Sequence, residues 1–434
     1  MIAANQRRVV VTGMAIQTPL GGDLETFYAN LLAGRSAIRQ WRSLETEGVY
    51  SKIGGDLAGH VDGVARREAL RERLPDAMHR RLRQLSKKAP FSTEISMLVA
   101  AEGWRDAGLT GQEDPTRSSV LVGGHNLNQN YLIGNYETFR GEPDYIDAAA
   151  ALLMLDTDHA GSVSEVLGWK GSAFTLGGAC ASANLALRTG LDEIRHHDQD
   201  LVMVVGPVLE FSALDVQAMA LMGAISIESF NDCPEAASRP WDKRREGFVP
   251  SHGAGVLVLE ELGHALGRGA RIYAEVLGCT ATADGCHLPA PSPEGQTRTI
   301  ERLLQRTGTR PEDVDFVCAH ATSTPQGDLS EMRALRAAFG SHADRLKVNA
   351  PKSMLGHTCW SAPVVETVAA LLQMQGGVLH PSINIDELDD EVALDVCAEG
   401  PVEHRADVLL KNSFGFGGIN CCALYRRFEE GDAR

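Results

Sequence analysis

The sequence of 434 residues has no apolar run that approaches the roughly 20 residues needed for a membrane-spanning helix. Residues 1–8 contain no apolar core of the kind that a secretory signal peptide carries. The chain also lacks an excess of positive charge, since its formal net charge is −16, and this argues against a nucleic-acid-binding protein. We therefore expect a cytoplasmic protein that binds neither a membrane nor nucleic acid.

A regular cysteine pattern is also missing. The nine cysteines are odd in number and irregularly spaced, which argues against a disulfide framework. Cys286-His287 and Cys318-x-His320 resemble fragments of a metal motif, but no paired set of ligands has the spacing of a zinc site. We predict no metal site.

Strand patterns and helix patterns alternate along the whole chain. A buried strand at residues 8–15 ends in a glycine turn, and a strand of the same kind at residues 272–278 opens the second part of the sequence. This alternation predicts a mainly parallel α/β architecture. We place two related halves at residues 1–262 and 270–434, with a glycine-rich joint between them.

The most informative stretch of the first half surrounds Cys180. An apolar, strand-like segment, 172–176, leads into Gly177 and Gly178, and a helix-compatible segment begins near Asn184. This pattern predicts a tight turn that holds the thiol at a helix N-terminus, where the N–H groups and the helix dipole favour the reactive thiolate. The alternative is a structural cysteine packed among small residues.

Four polar features of the second half supply candidates for a base and for an anion-stabilising group. Taken singly they are weak, because a lone histidine is usually structural, a lysine is usually solvated, and the glycine-rich segment lacks the lysine and spacing of a phosphate-binding loop. Together with Cys180 they form a candidate catalytic constellation. The four features are segment 320–328, segment 349–357, Glu366 and segment 412–420.

In this combination the chain resembles the β-ketoacyl-acyl-carrier-protein synthases of the thiolase-like superfamily, nearly from end to end. The resemblance implies a five-layered α/β/α/β/α fold of two duplicated halves, usually a homodimer. It implies no cofactor, because the substrates are carried on the phosphopantetheine of an acyl carrier protein. The motifs occur in family order: Val-Val-Val-Thr-Gly-Met-Ala at 9–15, Ala-Cys-Ala-Ser at 179–182, Arg-Pro-Trp-Asp at 239–242 with Gly-Phe-Val at 247–249, His-Ala-Thr-Ser-Thr at 320–324 with Gly-Asp at 327–328, Lys-Ser at 352–353 with Gly-His at 356–357, and Asn-Ser-Phe-Gly-Phe-Gly-Gly at 412–418.

The resemblance assigns the central catalytic roles. Cys180 would be the nucleophile that accepts an acyl chain from a phosphopantetheine thioester. His320 and His357 would face it, polarise the malonyl thioester carbonyl and assist decarboxylation. Lys352 would hold this network together by pairing with a carboxylate, for which the candidates are Glu331 and Glu366.

The resemblance also assigns supporting roles. Thr322 and Thr324 would contact the pantetheine arm, and Asp328 would be a supporting residue of the site. The backbone N–H groups of Cys180 and Phe414 would form an oxyanion hole, which stabilises the enolate as its charge develops. Phe414 would also act as a gate.

A basic cluster lies early in the chain. Between residues 66 and 88 there are nine basic residues but only three acidic ones. Because the carrier protein is acidic in this family, the later part of the cluster is a candidate docking site. The alternative is a solvated helical face. The docking residues are Arg80, Arg81, Arg83, Lys87 and Lys88.

Two departures from the family pattern stand out. Ser251-His252 replaces the usual Gly-Glu, with no consequence that the sequence reveals. His125-Asn126 occupies a position where the family has small or apolar residues near the acyl tunnel. Burying these polar groups against a long apolar chain costs their hydration without return, which favours a short or polar acyl group.

Three functions follow from this resemblance. The first is decarboxylative condensation of malonyl-carrier protein with an acyl group on Cys180, in fatty acid or polyketide synthesis, and the presence of the cysteine favours it. The second is decarboxylation of malonyl-carrier protein to acetyl-carrier protein in polyketide β-branching, which the polar tunnel favours. The third and weakest is a non-catalytic partner of the chain-length-factor kind, because such proteins lack the cysteine.

Overall fold

The computed structural model describes residues 7–227, 229–286, 290–429 and 431. Strands and helices alternate along this part of the chain, as the sequence predicts. The strands are β1 (Val9–Gln17), β2 (Arg39–Gln40), β3 (Ile53–Gly54), β4 (Ser118–Gly123), β5 (Ala173–Leu176), β6 (Leu201–Gly206), β7 (Ala254–Glu261), β8 (Ala274–Ala283), β9 (Phe316–Cys318), β10 (Lys347–Asn349), β11 (Val378–Leu379), β12 (Val402–Glu403), β13 (Val408–Gly415) and β14 (Ile419–Arg426). The helices are α1 (Leu24–Leu32), α2 (Gly63–Ala69), α3 (Asp76–Leu85), α4 (Phe91–Asp106), α5 (Gln129–Gly141), α6 (Ala150–Leu153), α7 (Thr157–Leu167), α8 (Ser182–His196), α9 (Ala213–Leu221), α10 (Leu262–Gly267), α11 (Pro293–Thr307), α12 (Pro325–Phe339), α13 (Lys352–Leu355) and α14 (Ala362–Gly376).

One ten-stranded sheet consists of two five-stranded parts, called here the first and the second sheet, which repeat one topology. The first has the order β5-β4-β6-β7-β1 and the second has the order β10-β9-β13-β14-β8. We number the strands of each half in chain order and leave out the two-residue ribbons β2–β3 and β11–β12. In these numbers, the strand order across each sheet is third, second, fourth, fifth and first. The sheets join where Val10 and Val11 pair with Glu275 and Ala274. This repetition is the duplication that the sequence suggested.

The strand directions refine one prediction. The third, second and fourth strands of each sheet are parallel, but the fifth strand is antiparallel to both of its neighbours, one of which is the first strand. Four of the five strands in each sheet therefore point the same way, as a mainly parallel architecture requires, and the fifth strand alone is reversed. In the second half the reason is local, because β13 returns directly into β14 through the turn at Gly417 and Gly418, which both have positive φ.

Helices and sheets stack in five layers. Helices α4 and α7 cover the outer face of the first sheet, and α11 and α12 cover the outer face of the second. Helices α8 and α14 lie between the sheets within the central apolar cluster. Helix α14 is apolar and is buried along nearly its whole length. The thiolase-like α/β/α/β/α fold is confirmed.

The junction of the two halves lies at α10, between the last strand of the first sheet and the first strand of the second. The chain therefore crosses between the sheets only a short distance from where β1 meets β8. None of the described helices is long and apolar enough to cross a membrane.

Candidate active site

Cys180 lies in a strained turn between β5 and α8. The turn is a single 3₁₀ segment, Ala179–Ala181, and Ala179 has a φ of 47°, which an L residue adopts at a cost in strain. The Ser182 hydroxyl fixes the turn, since it accepts a hydrogen bond from the Gly178 N–H at 2.9 Å and donates one to the Ala179 carbonyl at 2.7 Å. The backbone thus holds the thiol at the start of α8, as predicted.

The end of β13 passes directly beside this turn. A Cβ on Gly415 would lie 2.8 Å from the Gly178 carbonyl oxygen and 3.2 Å from the Cys180 nitrogen, so only glycine allows this approach. The backbone N–H groups that face the thiol are those of Cys180 and Phe416. Phe416 therefore takes the position that the sequence analysis gave to the N–H of Phe414.

The thiol is protonated at rest. Burial raises the pKa of Cys180 to about 12, although the nearby Lys352 ammonium and the two N–H groups act in the opposite direction. The helix N-terminus was expected to favour thiolate, and here desolvation outweighs it. The proton must therefore leave as the bond to the substrate forms.

His320 and His357 lie side by side in the second half. Their ring centroids are 5.3 Å apart and their rings meet edge to face. The Nδ1 atom of His357 accepts a hydrogen bond from the Cys359 N–H at 3.2 Å, which places the ring proton on Nε2. This Nε2 is buried and has no hydrogen-bond partner among the described residues. It is a donor available to a substrate.

Both rings are neutral. Burial lowers the pKa of His320 well below its usual value, and the charge of Lys352 lowers it further. The pKa of His357 falls for the same two reasons, burial first. The Nζ atom of Lys352 lies 3.5 Å from Nδ1 of His320, so the proton of His320 also belongs on Nε2. The site offers two imidazole donors rather than two cations.

A buried charge network lies behind the histidines. Glu366 pairs with Lys352 through one carboxylate oxygen, and its other oxygen lies 2.7 Å from Nζ of Lys411. Burial lowers the pKa of Lys352. At Lys411 burial acts in the same direction, but the neighbouring groups, Glu366 foremost, together outweigh it and raise the pKa. Lys411 was missed by the sequence analysis. The available signal was a lysine that directly follows three apolar residues in a strand.

Glu331 serves the backbone rather than Lys352. It accepts hydrogen bonds from the N–H groups of His320 and Ala321 at 2.9 and 2.8 Å, and from the Asn412 amide at 2.9 Å. Of the two carboxylates proposed for Lys352, the structure selects Glu366. Glu331 instead ties the histidine loop to β13.

Asp328 holds the hydroxyl-rich loop in a similar way. Its carboxylate accepts hydrogen bonds from the N–H groups of Ser323 at 3.0 Å and Trp241 at 2.9 Å. Burial raises the pKa of Asp328 to about 7. The nearby Thr322 and Thr324 hydroxyls are 3.0 Å apart, and Thr324 caps α12.

A cavity of about 520 Å³ contains these groups. Cys180, His320 and His357 lie together along it, and the Phe414 ring packs 5.8 Å from the ring of His320. The cavity is therefore the candidate active site. Other described residues that line it are Met222, Glu246, Phe248, Asp284, Gln296, Thr322, Thr324, Phe416 and Asn420.

The predicted acyl-pocket residues separate in the structure. The His125 ring stacks on Trp360 with centroids 4.4 Å apart, and burial lowers its pKa. It also borders the turn, because a Cβ on Gly177 would lie 3.1 Å from its Cδ2 atom. Asn126 is exposed, and its N–H donates to Asp156. Neither His125 nor Asn126 is among the described residues that line the cavity.

The Ser251-His252 departure lies elsewhere. His252 is buried against three aromatic rings, those of Trp41, Phe91 and Phe211. Its Nδ1 atom lies 3.5 Å from the carboxylate of Asp56. It is therefore part of the packing of the first half.

The predicted docking residues lie on and just after α3. Arg80, Arg83, Lys87 and Lys88 are exposed. Arg81 differs, because its guanidinium donates to the Val166 carbonyl at 3.2 and 3.0 Å. Four of the five basic groups therefore face solvent.

The described residues contain no group of three or more histidine, cysteine or acidic side chains arranged to hold a metal ion. His287, half of one motif fragment considered above, lies outside the described residues. Cys318 and His320 form no such group either.

Ketosynthases are among the solved structures that share this fold. The ishigamide ketosynthase/chain length factor matches with a TM-score of 0.86 and 28% identity, over 98% of this chain and 100% of that one. A ketosynthase from the complex AntDE:AntF, in which a type II polyketide synthase acyl-carrier protein is bound, matches with a TM-score of 0.85 and 25% identity over the same shares.

The chain belongs to the β-ketoacyl synthase family, an acyltransferase family. The model of the family's N-terminal domain matches residues 6–265 and that of its C-terminal domain matches residues 273–386. The polyketide biosynthesis malonyl-ACP decarboxylase PksF of Bacillus subtilis is 32% identical over 430 residues, 99% of each chain. The 3-oxoacyl-[acyl-carrier-protein] synthase 1 of Escherichia coli is 31% identical over 438 residues, 98% of this chain and 100% of that one.

Proposed function

We propose that the protein is a β-ketoacyl-acyl-carrier-protein synthase that condenses a short acyl group, held on Cys180, with malonyl-acyl carrier protein. The observation that carries this proposal is the convergence of three kinds of group on one cavity: a nucleophilic thiol, a pair of backbone N–H donors and two neutral imidazoles. Thiol and donors correspond to acyl transfer, and the imidazoles correspond to enolate formation.

Acyl loading uses the strained turn. The sulfur of Cys180 attacks the carbonyl carbon of an acyl-phosphopantetheine thioester. The negative charge that develops on the carbonyl oxygen is stabilised by the N–H groups of Cys180 and Phe416. As the thioester C–S bond breaks, the thiol proton passes to the departing pantetheine sulfur, so no separate base is consumed.

The extension step uses the imidazole pair. The Nε2–H groups of His320 and His357 donate to the carbonyl oxygen of the malonyl thioester, the C–C bond to its carboxylate breaks, and CO₂ leaves. The enolate carbon then attacks the acyl carbonyl on Cys180. The sulfur departs, takes up a proton, and the β-ketoacyl group remains on the carrier.

A second candidate is decarboxylation alone, which yields acetyl-acyl carrier protein. Two observations favour it: the resemblance to PksF along 99% of both chains, and the His125–Trp360 stack that borders the nucleophile turn. Filled space beside Cys180 disfavours a long acyl chain there. The imidazole pair is sufficient for decarboxylation, which needs no acylated thiol.

Intact-mass spectrometry separates the two functions. The protein is incubated with malonyl-acyl carrier protein, with and without acetyl- and butyryl-acyl carrier protein. Condensation predicts an acyl adduct on Cys180 and a β-ketoacyl carrier. Loss of CO₂ to give acetyl-carrier, without any adduct on Cys180 from either donor, would establish the decarboxylase instead.

We also propose two partners. The acyl carrier protein would dock on the exposed basic residues Arg80, Arg83, Lys87 and Lys88. The second partner is another copy of the chain, along the edge strand β5 of the first sheet, which has one neighbour and leads directly into the nucleophile turn. Exposed apolar residues cluster in the segment 132–155 before that strand, which fits an interface.

A further inference from the structure

A second cavity, of about 150 Å³, lies between the C-terminal half of α8, the strand β8 and the end of α11. It shares no described residue with the cavity around Cys180. Five arginines and only two acidic residues line it, an unusual balance in a chain of net charge −16. The arginines are Arg7, Arg8, Arg188, Arg195 and Arg306, and the acids are Asp192 and Glu275.

In the part of the chain that the structure describes, protein carboxylates pair with only two of these five arginines. Arg7 is held by Asp200, outside the cavity lining, and Arg8 is held by Glu275. Glu275 is shared further, because it also pairs with Arg426. Within the described residues, no carboxylate lies within ion-pair distance of the guanidinium groups lining the remainder of the cavity. Those groups belong to Arg188, Arg195 and Arg306.

Two hydrogen-bond donors in the lining are buried without a partner among the described residues. One is Nε of Arg195, whose Nη2 donates to the carbonyls of Val276 and Leu277. The other is the hydroxyl of Thr280, a residue only 1% exposed. Buried donors are ordinarily satisfied, because an unpaired one has lost its hydrogen bonds to water without a replacement. Guanidinium groups without an ion-pair partner and unpaired hydrogen-bond donors therefore lie together here. This combination favours the binding of an anion.

We propose that this cavity binds a small tetrahedral oxyanion, namely phosphate or the terminal phosphate of a monoester. Guanidinium groups bind phosphate oxygens through paired N–H donors, and a hydroxyl supplies a further one. The volume admits one such group but not a nucleotide. Arg195 also lies in the last turn of α8, where a cation stabilises the helix dipole. That effect accounts for one arginine and not for the unpaired threonine.

The site is separate from the chemistry. Arg188 and Arg195 lie along α8 beyond Cys180, about 12 and 22 Å away at the rise of roughly 1.5 Å per helical residue. Occupancy therefore leaves the catalytic cavity free. Helix α8 connects the two sites, because it begins just after Cys180 and its C-terminal half lines the cavity. Cys279, also in the cavity lining, contacts the Asn184 carbonyl near the start of α8.

Isothermal titration calorimetry tests the proposal on the whole chain. Inorganic phosphate and glycerol 3-phosphate are titrated separately, with chloride at matched ionic strength as the reference. The test variants are Arg306→Gln, an exposed position that leaves the fold intact, and Thr280→Val, which keeps the side-chain shape. Arg302→Gln on the exposed face of α11, outside the cavity lining, is the matched control.

We expect saturable phosphate binding, with affinity about tenfold weaker in Arg306→Gln, as for a lost charged hydrogen bond. Thr280→Val weakens it by a smaller factor, and Arg302→Gln leaves it unchanged. Equal binding of glycerol 3-phosphate identifies a site for phosphate monoesters, and binding of inorganic phosphate alone identifies a free-ion site. Absence of binding by both, or equal weakening by Arg306→Gln and Arg302→Gln, overturns the proposal.

Discussion

The two halves of the molecule build the same turn twice and use it differently. In the first half, Ala179 has a φ of 47° and a 3₁₀ segment leads into α8. In the second, Cys359 has a φ of 51° and a 3₁₀ segment leads into α14. The residue after the strained one is Cys180 in the first turn and Trp360 in the second.

The histidines follow the same repeat. His125 lies two residues after β4, the second strand of the first half. His320 lies two residues after β9, the second strand of the second half. His320 lines the cavity with Cys180, whereas His125 stacks on Trp360. The duplicated fold thus holds one open reaction site and one counterpart filled by an aromatic side chain. A strained turn alone does not make a catalyst.

We expect the largest effect on activity from removing the Cys180 sulfur, the nucleophile that the first half supplies. Cys180→Ser should lower condensation by at least about 10³-fold, because the hydroxyl is a far weaker nucleophile. Decarboxylation of malonyl-acyl carrier protein should continue, since that step uses groups from the second half. Cys233→Ser, at an exposed thiol, is the control. Equal loss of both activities would show that the halves do not divide the reaction in this way.

The second half should give the opposite result. His357→Asn removes an Nε2 donor and should lower decarboxylation by about 10²–10³-fold, the usual cost of one oxyanion donor. Acylation of Cys180 by an acyl donor should remain within a few-fold of the wild type. Both are measurable by mass spectrometry of the protein and of the carrier. Loss of acylation would place His357 in the loading step.

The second half holds a buried network of Lys352, Glu366 and Lys411, and Glu366 is central to it. Glu366→Gln leaves Lys352 and Lys411 without a counter-ion and should lower the free energy of unfolding by about 3–5 kcal/mol. Denaturant unfolding measures this change. Glu391→Gln, which removes an exposed pair with Arg333, should cost less than about 1 kcal/mol. Equal costs would mean that the network is solvated.

The filled counterpart site can be opened. Trp360→Ala should raise turnover with a longer acyl donor relative to acetyl by about tenfold, since a pocket discriminates at 10-fold or more per methylene. Trp169→Ala removes a buried tryptophan from the apolar cluster on the outer face of the first sheet, and it controls for loss of packing. If Trp360→Ala keeps the chain-length preference of the wild type, the His125–Trp360 stack does not determine which acyl donor is used.

The smallest effect is expected at the surface. Arg83→Glu with Lys87→Glu should raise the KM for the carrier protein about threefold to tenfold and leave kcat unchanged, because exposed charges mainly steer association. Arg81 is a poorer choice, since it supports the Val166 carbonyl. Reversal of the exposed Arg302 and Arg345 gives a control of equal charge. Unchanged KM would move the docking site elsewhere.

Sequence reasoning singled out Cys180, His320, Lys352 and His357 because the motifs around them, taken in order, resemble one family, and the structure brings the four residues together. It failed where the outcome depends on long-range packing. Which N–H group faces the thiol depends on how β13 meets the turn, so Phe416 supplies it rather than Phe414.

Burial was the other quantity that local patterns did not reveal. The helix N-terminus predicted a thiolate, but the depth of the site keeps Cys180 protonated. Lys411 was overlooked because a lysine in a strand is ordinarily assumed to reach solvent. Its carboxylate partner is 45 positions away on α14, and only the folded chain brings the two together.

The distribution of the nine thiols has a practical consequence for labelling and inhibitor design. Cys233 and Cys286 are exposed, and the other seven cysteines are buried. Small alkylating reagents should therefore modify the two surface positions before the nucleophile. A selective covalent inhibitor must enter the cavity as a substrate does and place its electrophile between the thiol and the N–H groups. Reagents chosen for intrinsic reactivity alone would mainly modify the exposed Cys233 and Cys286.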